Sequence, residues 1–151
     1  MKLAEALSER SDLQTRIEQL NNRLSSNALV QEGEKPAEDP EALLKELTEM
    51  SARLEDLICR INLTNAVPNE NGVTITALLA KREVATRRIS ILRGFLQEAS
   101  QRIYRARGSE IVIRSTVDVR KLQKRVDQES AALRELETRI QGLNWTTELK
   151  E

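Results

Sequence analysis

Carboxylates at helical spacing are the first residues in this sequence that could do chemistry. Glu46 and Glu49 lie three apart, as do Glu9 and Asp12, so each pair would share one helix face. All-α nucleotide pyrophosphohydrolases hold Mg²⁺ with such pairs, and di-iron bundles combine them with Glu-x-x-His. The chain contains no histidine. That absence removes the di-iron site, Ser-His-Asp and Cys-His nucleophiles and the imidazole pH switch together. A Mg²⁺ site needs several acids aimed into a helical interior, whereas Glu46 and Glu49 flank Leu47 and Met50 and point outward. With 24 acids in mostly helical sequence, such pairs arise by chance.

The remaining reactive groups are few. Cys59 sits between Ile58 and Arg60 with no second cysteine or histidine to activate it, which reads as an inert packing or surface thiol. The acidic stretch Glu32-Gly33-Glu34 with Glu38-Asp39 lacks the alternating Asp/Asn ligands of a calcium loop and reads as a solvated link. No catalytic, metal-ligating or cofactor-binding set is assigned, and no cofactor is expected. Aromatic residues number three (Phe95, Tyr104, Trp145), too few for base-stacking platforms or a β-sandwich core.

The elements that carry these residues are helices. Four tracts repeat apolar positions at alternating spacings of three and four: Leu3 to Leu24, Leu43 to Ile61, Ile75 to Ile103 and Val119 to Leu143. That period places each series on one stripe of a helix. Leu7, Leu44, Ile58, Leu79 and Phe95 widen the stripes to what a bundle helix with two neighbours requires. Asp39-Pro40-Glu41 reads as N-cap, first-turn proline and first-turn acid. Thr74 is a candidate cap for the third tract, Ser115 with Asp118 has capping-box spacing for the fourth, and Gly108 would stop the third. The expected helices lie near 2–27, 40–65, 74–107 and 117–143.

Short links between long helices favour antiparallel neighbours. The expected architecture is therefore all-α: one domain over 1–151, an up-down-up-down four-helix bundle of long coiled-coil-like helices. The first and third links each contain a strand-like run, 28–31 and 110–114. These are expected to pair as a small β-ribbon capping one bundle end, the alternative being that Ile111 and Ile113 plug the core as loop residues. Arg10, Arg82 and Glu129 fall on apolar stripes, where a charge needs a partner. Arg82 with Glu129 is the candidate buried pair, against the alternative that both reach solvent. Arg10, near a helix end, is read as solvent-reaching.

Charge is balanced overall, 24 bases against 24 acids, but it is blocked along the chain. Residues 1–80 carry 8 bases and 14 acids, and residues 81–125 carry 13 bases and 4 acids. A block of this kind could follow a phosphate backbone through Arg87, Arg88, Arg93, Arg102, Arg105 and Arg107. The competing reading, which is preferred, sets the basic third helix against the acidic hairpin of residues 1–65. Neither a signal-peptide run nor about 18 uninterrupted apolar residues occurs, so no membrane partner and a cytoplasmic location are expected.

Several strings in one order, MKLAEAL, LQTRIEQL, VQEGEKPAEDP, INLTNA, GVTITALLAKRE, the SEI run and IQGLNWTTEL, resemble a family of uncharacterised bacterial helical proteins often labelled septicolysin. The resemblance spans essentially the whole chain. It implies a small cytoplasmic helical protein with no established activity, so no catalytic residues carry over. The label suggests a cytolysin, while these residues hold neither an export signal nor a membrane-inserting segment.

The resulting functional reading is a non-catalytic structural or interaction protein that self-associates. Trp145, Leu143, Ile111 and Ile113 are the candidate oligomer contacts. Trp145 could face solvent, cover its own bundle end near Val67 and Pro68, or enter another subunit, which is the preferred reading. Nucleic-acid binding through 81–125 is the alternative, and metal-dependent hydrolysis at helical carboxylates is third.

Overall fold

The computed structural model describes residues 1–69, 71–101 and 112–151. Among them four helices form: α1 (Leu3–Ser26), α2 (Pro40–Asn65), α3 (Ile75–Ala99) and α4 (Val119–Thr146). No sheet is present among the described residues. The fold class is thus all-α, consistent with the four-helix bundle read from the repeats. The chain divides into two compact units, Met1–Thr74 with Gln141–Glu151, and Ile75–Ile140.

The first unit is built on the α1–α2 hairpin. Its direction is fixed by two cross-helix ion pairs, Glu9 with Arg53 and Arg23 with Glu46, which run in opposite sequence order as antiparallel helices require. Leu3, Ala6, Leu13 and Leu20 on α1 are buried, as are Leu43, Met50, Leu57 and Ile61 on α2. The α1–α2 link closes on Asn27, which is buried. Its side-chain amide donates to the Arg23 carbonyl at 2.8 Å and accepts from the Glu38 amide at 2.9 Å. Within that link Gly33 has φ +86, and the Glu34 amide donates to the Gln31 carbonyl. This is a turn whose third residue needs the left-handed region that glycine tolerates. Asp39 caps α2 through the Glu41 amide at 3.2 Å, with Pro40 at the first helical position.

The C-terminal residues complete this unit in a way the sequence did not announce. Residues 147–150 run extended past the start of α1 and the end of α2. The Leu3 amide donates to the Thr147 carbonyl, and the Leu149 amide donates to the Met1 carbonyl, each at 2.9 Å. Lys2 pairs with Glu148. On the other side the Lys150 amide donates to Thr64 Oγ1 at 2.9 Å, and Arg60 Nε donates to the Lys150 carbonyl at 2.8 Å. Leu149 is buried, and Leu3, Leu57 and Ile61 are the most completely covered side chains here. The backbone hydrogen bonds offset the cost of taking an extended segment out of water.

In the second unit α3 and α4 run antiparallel, residues 81–88 lying beside 129–136 and residues 93–100 beside 123–134. Arg88 Nε donates to Glu129 at 2.6 Å and Arg93 donates to Ser130 at 3.1 Å. Among its described residues the buried apolar side chains are fewer: Ile75, Leu78, Ile89, Val126 and Ile140. The cap of α4 is Asp118, whose carboxylate accepts from the Lys121 amide at 3.1 Å. Ser115, expected as the cap, instead bonds within its own turn to Val117.

Three further expectations change. The ribbon between 28–31 and 110–114 does not form over the described residues; Leu29, Val30, Val112 and Ile113 are exposed in irregular backbone. An isolated two-stranded pair gains too little to form without a packed face. Single antiparallel bridges join Lys2 with Glu148 and Pro68 with Thr74 instead. Helix α3 ends at Ala99 rather than running to 107, with the Ser100 hydroxyl turned back onto the Leu96 carbonyl. Gly108, the expected stop, lies outside the described residues. Helix α4, by contrast, continues through Gly142 to Thr146.

Candidate interaction surface

The two edges of the α1–α2 hairpin differ. One edge is latched by ion pairs. Arg53 grips Glu9 through two nitrogens at 2.7 and 3.0 Å, and Arg23 holds both Glu38, at 3.1 Å from Nε, and Glu46, at 3.4 Å. The hydrogen bond from Arg53 holds the Glu9 carboxyl below its ordinary pKa, as that from Arg23 does for Glu38. The other edge is an open groove lined by Gln14, Ile17, Glu18, Asn21, Leu24 and Leu47. Its apolar members are only half-buried, and Leu44 and Ile58 on the adjoining face of α2 are exposed. A stripe wide enough for two neighbours is therefore covered along one margin.

The carboxylate pairs singled out from sequence are engaged by bases. Glu9 and Glu46 serve the latch, Glu49 lies 3.9 Å from Lys45, and Asp12 lies 3.9 Å from Arg16. Among the described residues no three Asp, Glu, Cys or His side chains are grouped to hold a metal ion. Glu38 belongs to the latch and Asp39 caps α2. Cys59 is exposed. Arg10 is half-buried, and its Nε is sealed from water with no hydrogen-bond partner among the described residues.

In the α3–α4 hairpin Glu129 has different partners from the one expected. It accepts from Arg88 at 2.6 Å and from Arg125 at 3.1 Å, not from Arg82. Both guanidiniums lower its pKa, Arg88 the more strongly. Arg88 lies on the edge of α3, and Arg125 is one helical turn before Glu129, so both reach a carboxylate near the hairpin margin. Arg82, half-buried on the stripe itself, does not. Of the candidate polyanion contacts, Arg87 pairs with Glu83 at 3.0 Å, Arg88 with Glu129, and Arg93 with Ser130. Each finds its partner inside its own hairpin. Arg102, Arg105 and Arg107 lie outside the described residues.

On the Arg88 edge a groove is lined by Val84, Ala85 and Arg88 on α3 and Glu129, Leu133 and Leu136 on α4. Val84, Ile91 and Phe95, spaced to share a face of α3, are 59%, 72% and 46% exposed. Of the candidate oligomer contacts, Trp145 is 64% exposed at the end of α4, so it does not cover its own bundle end, and Leu143 is half-buried. Ile113 is exposed, and Ile111 lies outside the described residues. No role was read from the sequence for residues beyond Trp145, so the contact of residues 147–150 with Met1, Leu3 and α2 was missed. The isolated Leu149 was the one signal for it.

Residues 10–149 match the model of a family described as "Family of unknown function (DUF6847)". The chain belongs to this family. No curated protein matches it. Among solved structures it is similar to "a functionally unknown conserved protein from Corynebacterium diphtheriae", with 38% identity, 99% of each chain covered and a TM-score of 0.89. The family description agrees with the expectation of a family without an assigned activity. Nothing in these comparisons supports the septicolysin label. No helix among the described residues is long and apolar enough to cross a membrane.

Proposed function

We propose that this chain is a non-catalytic structural or interaction protein that self-associates. The observation that carries the reading is Trp145, the lone tryptophan, 64% exposed at a helix end. A side chain able to bury roughly 200 Å² left in water favours a partner surface. The open groove of the α1–α2 hairpin and the exposed face of α3 support the same reading. A cytoplasmic setting suits Cys59, which has no second cysteine to pair with.

Light scattering over a range of protein concentration tests it. Parent protein should exceed the monomer mass at micromolar concentration, and Trp145→Ala should lower that mass while leaving helix content intact. A parent that stays monomeric at every concentration removes the reading. A second reading, polyanion binding, is favoured by the composition of Ile75–Ile140, which has 15 bases and 8 acids, net +7. A gel-shift titration across salt tests it, since phosphate contacts make affinity fall steeply as salt rises.

A further inference from the structure

We propose that the open edge of the acidic α1–α2 hairpin in one copy of this chain docks on the exposed α3 face of the basic α3–α4 hairpin in a second copy. The contact is made twice in a two-fold dimer. The proposal rests on the self-association reading and specifies its surfaces.

Three observations select this occupant. The first is charge. The unit Met1–Thr74 with Gln141–Glu151 has 9 bases and 16 acids, net −7, and Ile75–Ile140 has 15 bases and 8 acids, net +7. Acidic with acidic, or basic with basic, would place like charges face to face, whereas unlike units attract. A second copy supplies this complement without any other partner. The second is shape. Each hairpin presents a groove between its two helices with apolar walls, Ile17, Leu24 and Leu47 in one and Val84, Leu133 and Leu136 in the other. The third is a second apolar row beside each groove. Leu44 and Ile58, 46% and 37% exposed, are two heptads apart on α2, and Val84 and Ile91 are one heptad apart on α3. Rows at heptad spacing are what a helix lays against a neighbouring helix. Docking one hairpin on the other would put four helices around a shared apolar layer, which is the width the stripes were built for. In a closed two-fold pair each copy gives one acidic and one basic surface, so the assembly stops at two.

The test uses the full chain with two substitutions at exposed positions, Ile91→Glu on the basic face and Leu44→Lys on the acidic one. Mass is measured by sedimentation across protein and salt concentration, and circular dichroism confirms that helix is retained. Each variant alone should raise the dimer dissociation constant by about tenfold or more, because in its homodimer both contacts carry the substitution. An equal mixture of the two should regain dimer. It contains one unaltered contact and one that brings the two introduced, opposite charges together. The parent dimer should also weaken as salt rises, as screening of complementary surfaces requires.

A parent that is oligomeric while either variant keeps its mass, or while the mixture stays dissociated, overturns this docking and leaves self-association standing. A parent that is monomeric throughout overturns both. If the parent's mass is unaffected by Ile91→Glu while that change weakens duplex-DNA retention in a gel shift, the face belongs to nucleic acid and the docking is overturned.

Discussion

The two hairpins are built from the same repeat and hold it closed to different degrees. In the α1–α2 hairpin every second stripe position reaches near-complete burial, with Leu20 and Leu57 at 0% exposure. In the α3–α4 hairpin the stripe is interrupted by Arg82, Glu129 and the buried Ser130, against Arg10 alone in the first, and among the described residues the buried apolar set is shorter. The first hairpin also has two reinforcements away from the seam: Asn27 at the link and residues 147–149 bonded to Met1 and Leu3. Among the described residues the second has one cross-helix ion pair, Arg88 with Glu129, and the Arg93–Ser130 hydrogen bond. The difference shows that a sustained apolar period makes a helix but does not set how firmly it is held. Firmness follows from how many stripe positions are covered and how many buried polar groups are satisfied.

The comparison can be broken most directly in the seams. Leu20→Ala removes a fully covered side chain and should cost about 2–5 kcal/mol. Ile89→Ala, in a thinner layer that can relax, should fall toward the low end of that range. Urea unfolding of both variants checks this, and an equal or larger loss for Ile89→Ala would show that the second hairpin is the tighter one.

Asn27→Ala tests the link, because it strips the Glu38 amide of its buried acceptor, while the Arg23 carbonyl keeps the backbone amide of residue 27. A loss of about 1–3 kcal/mol is expected, and hydrogen exchange should accelerate at Glu38 before it does in α3. No change in exchange at the link would mean that Asn27 is ornamental to the closure.

Acid should act unequally on the two hairpins. Glu9, Glu38 and Glu148 in the first unit and Glu129 in the second all have pKa values lowered by hydrogen bonds from basic side chains. A lowered folded-state pKa means that folding favours the ionised carboxylate. The stabilisation is therefore present above the unfolded value, about 4.3, and is lost as pH falls through the lower folded values. Trp145 fluorescence, which reports the first unit, should be steady from neutral pH to about 5 and give way below it. Amide exchange in α3 and α4 should respond less steeply. A first-unit transition centred near neutral pH would contradict these pairings.

The smallest effect sharpens the comparison rather than breaking it. Gly94 in α3 and Gly142 in α4 both sit within helix, and a Cβ at either would meet nothing within 4 Å. Alanine at each should stabilise by about 0.5–1 kcal/mol by reducing the freedom of the unfolded chain. In thermal melts Gly94→Ala should raise the less firmly held hairpin. A destabilised Gly94→Ala would reveal a contact at that face.

Much of the fold was legible because it is local. Helix identity follows from a period and a composition that act within a few turns, and the Asp39-Pro40-Glu41 start of α2 is a short-range hydrogen bond plus a preset φ. The α4 cap shifted from Ser115 to Asp118 because two acceptors compete within one turn, and only the backbone path selects the one that reaches a free amide. The candidate surface was legible in part. The widening residues Leu44, Ile58 and Phe95 marked the second face of each stripe, but the sequence read that face as covered.

What the sequence by itself determined is the all-α class, the four helices seen among the described residues, the antiparallel sense within each hairpin and the blocked charge. These depend on neighbours along the chain. Only the tertiary structure decided that Glu129 takes Arg88 and Arg125 rather than Arg82, that Leu149 docks beside Met1 and Leu3, and that Trp145 stays exposed. Each is settled by which margin of a helix meets which neighbour. That choice is a matter of tens of degrees of rotation about a helix axis, and of hydrogen bonds spanning 86 residues from Thr64 to Lys150. A period of three and four leaves such a rotation undetermined, because it is equally satisfied by either edge of a wide stripe.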